Sequence, residues 1–172
     1  KLVAPSSTDA RKAPLWIERA ASGGSLAAKE ARPLFGYHKT ENKPVAGPVR
    51  EKWAVVVGVG KFASKEVKGL QYTAKDAGDF AAVLKDPAVG RFAADHVFVL
   101  LDEQATLVNI RTALGKIREK AKPEDFVLLY VSSHGSPRES DPRGVSYVIT
   151  YDTDVSAPET IYATGLAMSE IV

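Results

Sequence analysis

His134 is the residue in this sequence best placed to do chemistry. It lies in Ser132-Ser133-His134-Gly135, directly after an apolar run over residues 126–131. An imidazole that titrates near ~6.5 can take and return protons at neutral pH. A strand ending just before it would hold the ring at the mouth of a crevice. Gly135 lacks a side chain, so its N–H can approach a developing oxyanion closely. The competing reading is a histidine on an ordinary surface loop. His38 lies in a Pro-rich stretch and reads as solvated, and His96 opens an apolar run and reads as packed or exposed. Three histidines without metal-ligand spacing argue against zinc.

Other motifs carry less. Gly58-Val59-Gly60-Lys61-Phe62-Ala63 matches a dinucleotide fingerprint, but that fingerprint needs a helix to start at once under the pyrophosphate. Here residues 61–71 intervene without helical period, so the glycines read as a turn off a strand. Asp152-Thr153-Asp154 resembles a paired-aspartate phosphatase motif, yet it stands near the end of the sequence rather than on a first strand. A solvated loop with a weak cation contact is the favoured reading. No G-x-S-x-G elbow occurs, which removes support for a serine hydrolase of that type. Cysteine is absent, so this chain holds no thiolate metal site, disulfide or thiol nucleophile of its own.

The elements that would position these residues are legible from apolar runs. Residues 53–59, 96–101 and 126–131 do not alternate, as expected of strands buried on both faces of a parallel sheet. Between them, Ala77, Phe80, Ala81 and Leu84 follow helical spacing, as do Leu107, Ile110, Leu114 and Ile117, with Thr106 as N-cap. This order predicts an α/β domain with right-handed crossovers. Val145, Tyr147, Ile149 and Tyr151 alternate with Ser146, Val148 and Thr150, which predicts a short strand or hairpin with one wetter face. Thr164 is read as the cap of a last helix running through Leu166, Ile171 and Val172, cut short by the end of the sequence.

Residues 1–50 are punctuated by Pro5, Pro14, Pro33, Pro44 and Pro48 and by four glycines, Gly23, Gly24, Gly36 and Gly47. They read as an arm or linker, or as a partly disordered leader, with short helices around 15–21 and 26–31. Residues 51–172 form the second region. Lys1 in place of Met fits a processed or trimmed chain. A net charge of +2 is too weak to argue for nucleic acid or a membrane surface. No apolar run nears the ~18 residues of a membrane span.

Taken together, several segments form one pattern. They are Trp53-Ala-Val-Val-Val-Gly-Val-Gly, Leu70-x-Tyr72-x-x-x-Asp76-Ala77, residues 97–101 with Asp102, Ala105-Thr106-x-x-Asn109-Ile110, residues 125–131 with Ser132-Ser133-His134-Gly135, and Tyr151-Asp152. The pattern resembles the caspase-like cysteine peptidases, closest to the metacaspase and bacterial orthocaspase branch. It covers residues 52–172. One position departs: Ser133 stands where the family usually has glycine.

The resemblance implies a three-layer α/β/α fold with a mainly parallel sheet, incomplete in this chain. It implies that His134 is the imidazole of a Cys-His dyad and that Gly135 N–H helps form the oxyanion hole. It places Asp76 and Ser132 in the pocket for the residue before the cleaved bond, with Thr73 on its wall. A buried carboxylate there would pair with a substrate Arg or Lys. The plain alternative for Asp76 is a first-turn acid favoured by the helix dipole. The family places its cysteine at the end of the next strand, so a C-terminal fragment of the same precursor is the expected partner. An apolar strand over 126–131 with nothing on its far edge also calls for a partner. No cofactor is required for this chemistry. Calcium activates some metacaspases, but Asp152 and Asp154 are too few to assign a calcium site. The alternative function is a non-catalytic caspase-like module that binds other proteins.

Overall fold

The computed structural model describes residues 48–137, 141 and 144–171. The expected arm over residues 1–50, with its helices around 15–21 and 26–31, lies outside the described residues except for its last three positions. The remainder is an α/β domain built on a three-stranded parallel sheet. In chain order the main elements are β1 (Lys52–Gly58), α1 (Thr73–Lys85), β2 (Val97–Leu101), α2 (Leu107–Lys120) and β3 (Phe126–Ser132). A short antiparallel pair follows, β4 (Tyr147–Val148) and β5 (Leu166–Ala167), with α3 (Pro158–Thr164) between them.

The sheet order is β2-β1-β3. The chain therefore moves from β1 to one neighbour through α1, then crosses back over β1 through α2 to reach β3. Crossovers between parallel strands are right-handed, so reversing direction puts the two helices on opposite faces. The core shows this. Ala54 and Val56 pack with Ala77, Ala81 and Leu84 of α1. Val55 and Val57 pack with Leu107, Ile110, Ala113 and Ile117 of α2. Strand β1 is buried on both faces, as its unbroken valine run requires.

Strand β3 differs from that expectation. Phe126 is 46% exposed and Val127 50% exposed, and β3 pairs only with β1 among the described residues. Its apolar sequence is that of an inner strand, and no described residue pairs with its outer edge.

Two expectations near the end of the sequence are corrected. Thr164 does not start a helix; it is the last residue of α3, which begins at Pro158. Proline is suited to a helix's first turn because its missing N–H has no partner there in any case. Gly165 then lets the chain pass against Tyr147, where an added Cβ would stand 3.0 Å from the Tyr147 Cβ. Leu166 and Ala167 consequently pair with β4 instead of continuing a helix. The strand expected around 145–151 keeps only two residues, and it has no wet face. Tyr147, Val148, Ile149 and Thr150 are all buried, because β4 lies between the domain core and α3.

Candidate active site

The order β2-β1-β3 makes the carboxyl ends of β1 and β3 a switch point, from which the two chains leave toward opposite faces. Ligands of open α/β sheets bind at such a crevice. In the register, Gly58 stands opposite Ser132, and Val59 N–H donates to the Ser132 carbonyl at 2.9 Å. Two residues beyond Ser132 the chain reaches His134.

The ring of His134 is held from two sides. Its Nε2 lies 2.8 Å from the main-chain carbonyl of Lys68. A carbonyl can only accept, so Nε2 carries the proton and Nδ1 keeps its lone pair in the neutral ring. Phe62 packs near the imidazole with centroids 5.5 Å apart. Both contacts come from the loop joining β1 to α1. That loop is tied down in turn: Leu70 N–H donates to Gly60 O, and Ala63 N–H to Tyr151 O. At its start, the Asp102 carboxylate accepts from Gly60 N–H at 2.8 Å and Lys61 N–H at 3.0 Å. Asp102 reaches them from a left-handed backbone, φ 44°.

Gly135 forms a bridge with Val148 in which its neighbours make the bonds. Ile149 N–H donates to His134 O and Ser136 N–H donates to Tyr147 O. In this arrangement Gly135's own N–H points away from β4, and it has no main-chain partner among the described residues. It is a donor on an exposed residue beside the imidazole. Ser133, the departure from the family pattern, turns its hydroxyl to the Ile149 carbonyl, so its side chain fastens the loop to the segment after β4.

Thr73 and Asp76 lie on the first turn of α1, on the other face of the sheet. Thr73 is close to the β1 exit: a Cβ on Gly58 would meet the Thr73 carbonyl at 2.6 Å, and one on Gly60 would meet Thr73 Oγ1 at 3.1 Å. Its hydroxyl is buried without a hydrogen-bond partner among the described residues. Asp76 is exposed rather than buried, and no hydrogen bond or ion pair joins it to Ser132 or His134. The structure thus places Ser132, His134 and Gly135 at and after the end of β3, and Thr73 beside the neighbouring end of β1, with Asp76 one helical turn further along α1.

The remaining candidates take structural places. Asp152 Oδ1 accepts from Leu107 N–H at the start of α2 and from Thr150 Oγ1, so it caps a helix. His96 stacks on Trp53 at a centroid distance of 3.6 Å, at the amino end of the strands. Among the described residues no group of three or more His, Cys, Asp and Glu is spaced to hold a metal. None of the described helices is long and apolar enough to cross a membrane.

A histidine fixed at the switch point of a parallel sheet, beside a main-chain N–H without a main-chain partner among the described residues, defines an α/β domain with a candidate acyl-transfer centre. Residues 51–164 match the family model described as Caspase domain, and the chain belongs to this peptidase family. No curated protein matches the chain. The chain contains no cysteine, so thiol catalysis would require another part.

Proposed function

We propose that this domain is the imidazole-bearing part of a cysteine endopeptidase that cleaves after Arg or Lys, with the thiol supplied by a C-terminal part outside these 172 residues. The observation that carries the reading is the Lys68–His134 hydrogen bond, which leaves Nδ1 as the basic nitrogen. Nδ1 takes the thiol proton as sulfur attacks the scissile carbonyl and a C–S bond forms. The oxyanion receives Gly135 N–H. The protonated ring then gives its proton to the leaving nitrogen as the C–N bond breaks, and water hydrolyses the thioester. No cofactor takes part in these steps.

Asp76, Ser132 and Thr73 are proposed to hold the side chain before the cleaved bond. An exposed carboxylate becomes buried there only when substrate covers it, and a guanidinium offers it two parallel bonds. The test is covalent trapping. A peptidyl ketone electrophile ending in Arg, added to the full-length protein, should label one cysteine outside the 172 residues, located by mass spectrometry. Absence of any labelled cysteine would favour a non-catalytic binding module.

A further inference from the structure

Beside β4, whose Val148 packs into the α2 core, His134 and Gly135 form part of the lining of a hollow of about 320 Å³. Val67, Ile149, Val155 and Ile161 supply its apolar lining. Ile149 and Ile161 are buried and belong to the small core around β4 and α3, so the lining is anchored rather than loose. The charged groups that line it, Glu66 and Lys68, are of opposite sign and exposed. The hollow is therefore suited to an aliphatic or aromatic side chain and to no particular charge.

We propose that this hollow receives an apolar side chain from the residue on the carboxyl side of the cleaved bond; the inference rests on the peptidase reading above. Two arguments fix the occupant. A general acid must lie beside the nitrogen it protonates, so the residue carrying that nitrogen lies against His134. Successive side chains of an extended peptide point to opposite sides. The side chain before the bond goes toward Thr73 and Asp76 on the α1 face. The next one points away from α1, toward β4 and the hollow beside it.

The test uses the full-length protein and two readouts. Internally quenched peptides with Arg before the bond and Leu, Phe, Gly or Asp after it should show Leu and Phe cleaved at least ~10-fold faster in kcat/KM than Gly or Asp. Val155→Asp and Val67→Asp should bring the Leu:Gly ratio toward one. Separately, methyl spectra should show shifts at Val67, Ile149, Val155 and Ile161 when Leu-Gly-amide is added, and none with Gly-Gly-amide. Cleavage without a Leu preference, together with unmoved methyl signals, overturns this inference alone. Absence of cleavage of every Arg peptide overturns the peptidase reading with it.

Discussion

Lys68 offers its main-chain carbonyl to His134 Nε2 at 2.8 Å, across 66 residues of sequence. The contact fixes which ring nitrogen is basic, and it places the loop before α1 in control of the imidazole. Because the acceptor is backbone, replacing the Lys68 side chain should leave the bond intact. Lys68→Ala is expected to keep the proton on His134 Nε2 in the neutral ring, read from the ring nitrogen shifts by NMR. A change of tautomer in the variant would show that the side chain, rather than the carbonyl, governs the ring.

Gly135 separates function from folding. Among the described residues, a Cβ there meets nothing closer than the Tyr147 carbonyl at 3.8 Å, ordinary contact. Gly135→Ala should therefore melt within a few degrees of the parent. The added methyl stands beside the exposed N–H, and a displacement of about 1 Å in a reacting group can cost ~10²-fold in rate. The full-length protein carrying this change should lose activity on that scale without loss of fold. A large fall in melting temperature would show that the site is packed, not open.

Gly58 behaves in the opposite way. Its added Cβ would lie 2.6 Å from the Ala77 Cβ and from the Thr73 carbonyl, both on α1. Gly58→Ala must push α1 off β1, and overpacking of this kind costs about 1–3 kcal/mol. Denaturant melts should show that loss. The nearby buried hydroxyl of Thr73 predicts a contrasting variant. Thr73→Val removes an unpaired polar group and should hold or raise stability, since such groups cost about 1–3 kcal/mol when buried.

Acid stability should depend on Asp125. Burial opposes its ionisation, but hydrogen bonds from Lys122 N–H and the Trp53 indole, with the Arg50 guanidinium, hold its carboxyl below the usual range. A carboxylate depressed in the folded state contributes stability above its unfolded value, near ~3.9. That contribution is lost as pH falls from there through the folded value. Asp154 is also depressed, through Ser156 and Thr160. Asp125→Asn should flatten the fall in stability below pH ~4, leaving a smaller acid limb from Asp154. An unchanged pH profile would remove Asp125 from the network.

The sheet and its two large helices were legible because each carries its own signal. Three unbroken apolar runs gave the strands, and helical spacing gave α1 and α2, with Thr106 accepting from Asn109 N–H as the cap. Leu114 packs against the α2 core as the spacing predicts, and Ala113, which the spacing did not mark, is buried beside it. The region after His134 was less legible. β4 and β5 have two residues each, too few to show a period, and their pairing depends on a close approach at Gly165. The Lys68 carbonyl was invisible for a different reason. A main-chain acceptor has no residue type to mark it. Asp102 stood in the pattern, but its hold on Gly60 and Lys61 depends on a left-handed backbone that the sequence does not announce.

The central claim is that His134 is the base and acid of a thiol-dependent cleavage. It is tested most directly by the rate at which the full-length protein hydrolyses an Arg-ended peptide reporter, with His134 intact and as His134→Ala. Loss of the proton-transfer group should lower kcat by at least ~10²-fold while the fold, read by circular dichroism, is unchanged. Turnover retained within a few-fold in the variant would contradict the account.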